Sequence, residues 1–277
     1  MKRERDLERR LRSLSALGEA IGAMKSLAAH HFRESREAVE VARAYREGVE
    51  RCLAAAPGSA VHLEAGEGPA LLVVVGGELG LSGSYDSRVV DFAVERRAGL
   101  GDGPTFAVGQ RAGTLMSRRG ISIEKAYRGP TSIGGIPARL LPLAEDVLTR
   151  WGERGLSRIE IVSSRFVGVG ATTPTSTVLL PLEPRVADPA LPTPRYVAAD
   201  RFASVAVREL FYVTLYDLLL DALATEHGAR LVATQSAERW LDERTARLRR
   251  RLAAARREAS TQEVIEIAAG ARARRTA

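Results

Sequence analysis

The chain has a single cysteine, Cys52. It therefore forms no intrachain disulfide, and a reducing, cytosolic setting is expected. Proline is missing before Pro57 and again from about Asp200 to Gly270. Both stretches thus lack the residue that most strongly breaks a helix interior. Aromatics make up only 5% of the 277 residues, although 45% are hydrophobic. The lean toward alanine, leucine and arginine favours long helices, because these side chains lose little on entering one. The longest strongly apolar run, Leu71 to Val75, falls far short of the roughly 20 residues that span a bilayer. The opening "MKRERDLERRLRS" mixes charges of both signs without an apolar centre, so no secretory signal is read there. A soluble protein is expected, attached to a membrane only through something else.

Catalytic chemistry is equally thin. The four histidines are His30, His31, His62 and His227. No Cys/His spacing suits a metal, and the adjacent pair His30–His31 is expected to face different sides of a helix. Glu226 and His227 are also adjacent, and helix neighbours do not face each other. No Ser/His/Asp set has supporting context. The turn "GGELGLSGSYD" follows a strand and opens a helix, the right context for a phosphate cradle. It lacks both G-x-G-x-x-G and the lysine of a P-loop, so it reads as a structural turn. No catalytic residue, cofactor or metal is expected.

What the chain does have is two seams. From about Glu4 to Ala55, apolar residues recur at Leu7, Leu11, Leu14, Leu17, Ile21, Met24, Leu27 or Ala28, and His31 or Phe32. Gaps of three and four place them on one helix stripe. About 50 residues make roughly 75 Å of helix, longer than any compact domain this chain could form. Near the other end, Leu241, Thr245, Leu248, Leu252, Ala255, Ala259 and Gln262 repeat with gaps of four and three, as in a coiled-coil seam. The two terminal helices are expected to wind around each other antiparallel. The small residues between Ala20 and Ala29 then allow close approach of a second slim helix.

The middle reads as alternating strands and helices. "PALLVVVGG", "TFAVG", "ISIEKAYRG", "RIEIVSSRFVGVG" and "STVLLPLEP" are strand-like. Helices are predicted after the glycine turn, over Gln110 to Arg119, and in "LPLAEDVLTRWGERG". This order argues an α/β domain with a mostly parallel sheet. The proline-rich passage Pro181 to Pro194 reads as the connection to the last helix. The expected division is an N-terminal coiled-coil helix over 1–56, an α/β domain over 68–185, and a C-terminal coiled-coil helix over 200–277.

The formal charge is +7 with a pI near 10.0. A basic surface suits nucleic acid, anionic lipid or an acidic protein, and sign alone does not choose. Arginines crowd the last helix at Arg244, Arg247, Arg249, Arg250, Arg251, Arg256 and Arg257. Interleaved glutamates and the lack of a stacking platform weigh against nucleic acid.

Several segments together resemble the gamma subunit of F-type ATP synthases. "ERRLRSLSALGEAIGAMKSLAAHHFR" is similar to that family's opening signature, with Arg10, Ser13, Ile21, Ala23, Met24, Ala28 and Ala29 at matching positions. "GLSGSYDSRV" is similar to its G-L-C-G-[GA]-[YF]-N turn. "ATEHGARLVA" and "ARREASTQEVIEIAAGARA" resemble its C-terminal motifs. The resemblance implies an α/β fold in which a long antiparallel coiled coil of the N- and C-terminal helices carries an inserted Rossmann-like domain. It implies a non-catalytic rotor shaft, one copy per complex, that couples ion translocation to ATP synthesis or hydrolysis. The implied partners are the alpha and beta subunits, the epsilon subunit and the c ring, with no nucleic acid. The implied location is peripheral, at the cytoplasmic face of the inner (plasma) membrane. Carried over position by position, Met24, Lys25, Arg230, Arg256, Thr261 and Gln262 are expected to contact beta, and Arg10 and Glu266 to support the stalk. Arg257 stands where the family usually has glutamine, and Ser82 replaces its frequent cysteine. The stretch "PTPRYVAADRF" does not match the family's Y-E-P. These departures mark a divergent member, as from a second or sodium-type ATPase. The competing readings are an α/β nucleotide-binding enzyme with helical extensions and a basic coiled-coil nucleic-acid binder.

Overall fold

The computed structural model describes residues 2–54, 66–168, 171–181 and 197–275. His62 and nearly all of the proline-rich passage lie outside them. Helix α1 runs Lys2–Ala54 and helix α5 runs Ala199–Arg275, as the missing prolines predict. Between them come β1 (Ala70–Val75), α2 (Tyr85–Leu100), β2 (Thr105–Val108), α3 (Gln110–Arg118), β3 (Lys125–Tyr127), α4 (Ile136–Arg154), β4 (Arg158–Gly168) and β5 (Ala171–Leu180). The chain divides into two compact units that cut across both long helices. One is Met1–Leu27 with Ala233–Ala277, and the other is Ala28–Val232.

In the larger unit five strands form one sheet in the order β3-β2-β1-β4-β5. The pairs β1–β2, β2–β3 and β1–β4 are parallel. Strand β5 returns antiparallel along β4 as an edge strand. Pro174 sits opposite Ser164 in that edge, where a strand tolerates a residue without an N–H. Strand β1 is buried at every position, which explains why "ALLVVV" is uniformly apolar rather than alternating. One sheet face buries Leu72, Val74 and Ala107 against Val89, Val90 and Ala93 of α2 and Ala112 and Met116 of α3. The other buries Leu71, Val73, Val75 and Phe106 with α4, α5 and the Val39–Ala42 turn of α1. Helices on both faces and a strand order that reverses beside β1 define a doubly wound sheet.

Predicted boundaries differ most at three elements. Strand β3 spans only Lys125–Tyr127 of the predicted "ISIEKAYRG". Helix α4 begins at Ile136, before the predicted start, with a proline near its first position and Pro142 inside it. Strand β5 begins at Ala171 rather than at Ser176, because pairing with β4 overrides the local turn signal of Pro174.

In the smaller unit α1 and α5 pair antiparallel. Lys25 meets Glu238, while Glu4 and Glu8 meet Arg256. The seam of α1 here runs through Leu7, Leu11, Leu14, Gly18 and Ile21, all buried or half-buried, a three-four alternation. One predicted seam residue is not in it: Leu17 is 48% exposed. Of the alternatives Leu27 and Ala28, Ala28 is the buried one, at 2%, while Leu27 is 58% exposed. The seam steps from Leu14 to Gly18, so a residue without a side chain takes the place expected of leucine. On α5, Leu241, Thr245, Leu248, Leu252 and Ala255 lie inward as predicted, but Ala259 and Gln262 are exposed. They follow Arg256, which lies opposite Glu4, near the end of the described pairing of the two helices. Ala20 and Ala23 are exposed. The small face of α1 therefore contributes a slim outer surface there rather than only a close helix contact.

Candidate functional site

Within the paired helices, charge is placed across the seam as well as outward. Lys25 Nζ donates to both carboxylate oxygens of Glu238, at 2.8 and 2.6 Å. Each of these side chains is about one-third exposed (33% and 35%). Arg256 donates from Nε to Glu4 at 2.9 Å and from Nη2 to Glu8 at 2.5 Å, and remains 57% exposed. Arg10 pairs with Asp6 one turn earlier at 2.9 Å. A groove of about 660 Å³ runs between the helices, lined by Arg9, Arg10, Trp240, Arg244, Arg247 and Arg251 among others. Its arginines make it an anion-facing surface.

Beyond Arg256 helix α5 continues to Arg275. Every side chain described from Arg256 to Arg274 is exposed. Thr261 and Gln262 lie here, and Gln262 Nε2 donates to Glu266 at 2.9 Å. Val264, Ile265 and Ile267 are 64%, 56% and 66% exposed. Val264 and Ile267, three residues apart, share one side of the helix and Ile265 lies on another, so apolar side chains are exposed around this stretch that no other described residue covers.

Arg230 corrects the expectation of an outward contact. It lies in the larger unit and is only 4% exposed. Its guanidinium pairs with Glu226 one turn back. It donates from Nε to the carbonyl of Gly80 at 3.1 Å and from Nη2 to that of Leu79 at 3.4 Å. Its Nη1 stands 3.0 Å from His227 Nδ1. A side chain enclosed in this way serves its own chain. It ties α5 to the glycine turn at the end of β1.

That turn is stabilised from several sides. Gly77 N–H donates to Asp86 Oδ1 at 2.7 Å, and Ser82 Oγ donates to Asp86 Oδ2 at 2.9 Å. Glu78 Oε2 accepts from the N–H groups of Gln110 and Gly129 at 3.0 and 2.8 Å. A Cβ on Gly77 would fall 2.8 Å from Asp86 and 3.1 Å from Glu226, so glycine is required for the close approach of these carboxylates. Doubly wound sheets bind nucleotides at this end of the sheet, where the strand order reverses. Here the chain's own α5 supplies Glu226 and Arg230 to that place. A phosphate brought to the turn would meet the carboxylates of Glu78, Asp86 and Glu226, and the nearby cations Arg128 and Arg230 are already engaged by Glu78 and Glu226. The nucleotide-enzyme reading is thereby disfavoured on electrostatic grounds.

Glu226 and His227 were passed over in sequence because neighbours on a helix diverge. The detectable signal was the wider spacing: Arg230 lies four residues from Glu226 and three from His227, so one guanidinium reaches both. Burial raises the Glu226 carboxyl above its usual range, against the opposing pull of Arg230. Burial, then the charges of Arg230 and His31, lowers His227 to about 3. The rings of His31 and His227 stack with centroids 5.1 Å apart. Between pH 6.5 and 3 the unfolded imidazole takes a proton that the folded one refuses, so His227 removes stability as pH falls through that window. Glu226 acts in the opposite sense, because its folded carboxyl holds a proton above the unfolded pKa. His227→Gln is expected to reduce the stability lost between pH 7 and 5 by roughly 2 kcal/mol, measured by urea unfolding at the two pH values. An unchanged pH dependence would contradict this assignment.

The adjacent histidines correct a second expectation. His30 and His31 were expected to face apart, yet their ring centroids are 5.4 Å from each other. Glu34 joins them, with the ligand atoms of all three within 4.8 Å of one another.

Among the described residues no helix is long and apolar enough to cross a membrane. One unit is thus an antiparallel helix pair, and the other a doubly wound sheet whose usual ligand end is taken up by α5. Residues 3–273 match the family model described as ATP synthase. The chain is 31% identical to the ATP synthase gamma chain of Desulforamulus reducens, over 97% of this chain and 98% of that one. It is 30% identical to the gamma chain of Moorella thermoacetica, over 96% and 97%. The chain belongs to the ATP synthase gamma family. Two solved chains share the fold. One, from the rotor of Euglena gracilis mitochondrial ATP synthase, has a TM-score of 0.61 and 13% identity, over 93% of this chain and 98% of that one. The other, from an OSCP/F1/c-ring structure of the same synthase, has a TM-score of 0.65 and 13% identity, over 96% and 92%.

Proposed function

We propose that this chain is the central rotor shaft of an F-type ATP synthase, transmitting torque between a membrane c ring and a catalytic alpha/beta hexamer. The observation that carries this reading is the end of α5. A stretch of helix with Val264, Ile265 and Ile267 exposed calls for a cover outside the chain. A sleeve of alpha and beta subunits provides one. Thr261, Gln262 and Arg256 lie on or beside this segment and meet the sleeve, with Glu266 bracing Gln262. Lower on the shaft, the arginine groove faces acidic loops of beta, a charge-complementary bearing that guides without locking. Arg10 belongs to that groove. Met24 is half-buried and lies beside the Lys25–Glu238 pair, and beta contacts both Met24 and Lys25 from the outer side. Arg230 acts indirectly, by fixing α5 to the α/β unit.

The chain itself is non-catalytic, and ATP chemistry belongs to beta. The α/β unit faces the epsilon subunit and the c ring. The complex holds one copy of the chain, peripheral to the cytoplasmic face of the membrane.

Co-purification tests the reading. A tagged chain isolated gently from its host is expected to bring down alpha and beta near three copies each, with ATP hydrolysis. Ile265→Asp together with Ile267→Asp places two charges in the sleeve and is expected to lower recovery of alpha and beta at least tenfold. Recovery of the unaltered chain without alpha and beta, under conditions that keep such complexes intact, would overturn the shaft reading.

A further inference from the structure

We propose that His30, His31 and Glu34 form a binding site for a borderline divalent transition-metal ion, with Zn2+ as the representative case. This inference does not rest on the shaft reading. On one helix, His30 and Glu34 are four apart and His31 and Glu34 three apart, so all three side chains can converge over one turn of α1. Their ligand atoms lie within 4.8 Å of one another. Two ligands at tetrahedral angles on one zinc ion stand about 3.4 Å apart, from bond lengths of roughly 2.0–2.2 Å. The remaining closure is at most about 1.4 Å, and His30 and Glu34 are exposed and can rotate into it.

His31 is the fixed member of the set. Its ring is half-buried and stacks on His227, with centroids 5.1 Å apart and planes 29° apart. Its Nδ1 is buried and makes no hydrogen bond, and it stands 3.5 Å from Glu34 Oε2. A ring nitrogen held in place without a hydrogen-bond partner, facing a carboxylate, is the arrangement a cation satisfies on both sides. Two imidazoles and one carboxylate suit zinc, nickel or cobalt rather than magnesium or calcium, which favour all-oxygen shells. Three protein ligands leave a coordination position for water or for a side chain of another subunit. A bound ion would staple this turn of α1 beside the His31–His227 stack.

The test is calorimetric titration of the full-length chain with Zn2+, in a Cys52→Ser, His62→Ala background that removes the exposed thiol and the remaining unassigned histidine. One ion per chain is expected. Removing a group that only supports a metal ligand costs about 10–100-fold in affinity, so His30→Ala and Glu34→Gln are each expected to weaken binding at least tenfold. Both residues are exposed, so circular dichroism should show the fold intact in these variants. His31→Ala should abolish binding. Co2+ loaded in place of Zn2+ should show visible absorption bands that His30→Ala diminishes. Lowering the pH to about 5.5 should weaken binding, because the imidazoles must be neutral to ligate. No saturable binding up to about 1 mM Zn2+ would overturn the proposal, since such a donor set prefers these ions. So would an affinity unchanged within about threefold in both exposed-residue variants.

Discussion

Arg230→Met is expected to cost the larger unit about 3–5 kcal/mol of stability, because it strands a buried carboxylate. Glu226 is 4% exposed, and its partner is the Arg230 guanidinium. The substitution also removes donors from the carbonyls of Leu79 and Gly80. Part of the loss should return in Glu226→Gln with Arg230→Met, since removing both members of a buried pair is milder than removing one. Urea unfolding of the single and double variants measures both quantities. A loss below about 1 kcal/mol would mean the pair contributes no more than a surface ion pair. The consequence for a shaft goes beyond stability. Within this unit, α5 is attached to the end of β1 through Arg230. A looser attachment should lower ATP-driven ion pumping by more than it lowers ATP hydrolysis.

Leu252→Asp is expected to open the helix pair in the smaller unit. Leu252 is 7% exposed and belongs to the regular α5 seam. Truncating a buried leucine costs about 2–5 kcal/mol, and the introduced carboxylate adds the cost of burying a charge without a partner. Hydrogen exchange is the suitable measurement, because it reports local opening. Amides of residues 2–27 and 233–256 should lose protection, while strands β1 and β4 keep theirs. Unchanged protection in the helix pair would show that the seam is wrongly placed. The neighbouring exposed arginines offer a control. Arg249→Ala lies on the outer surface and should leave exchange unaltered.

Much of this organisation was legible in sequence, for identifiable reasons. The two proline-free stretches and their three-four spacing predicted α1 and α5 nearly to their ends. The uniform apolarity of "ALLVVV" predicted a strand buried on both faces. The seam failed at Leu17 because counting apolar residues overlooks glycine. Gly18 lies inward through the helix phase, not through its own hydrophobicity. It failed again at Ala259 and Gln262, where the periodicity continues past the described pairing of the two helices. A one-dimensional pattern carries no information about where that pairing ends. Arg230 was misread for another reason. Its motif marks it as important, but only the folded chain shows the guanidinium turned inward onto Glu226 and the glycine turn. The convergence of His30, His31 and Glu34 was hidden by the rule that adjacent helix residues diverge. Long side chains relax that rule, and a residue three or four positions away can join both.

The most direct test of the shaft is to watch it turn. Cys52 is exposed and is the chain's only cysteine, so it accepts a single optical label. With the labelled chain assembled into its alpha/beta hexamer and the hexamer fixed to a surface, added ATP should drive the label in one direction. Pauses should recur every third of a turn, one for each catalytic beta subunit. A label that stays fixed, or moves without direction while the same complexes hydrolyse ATP at full rate, would contradict the assignment of this chain as the rotor.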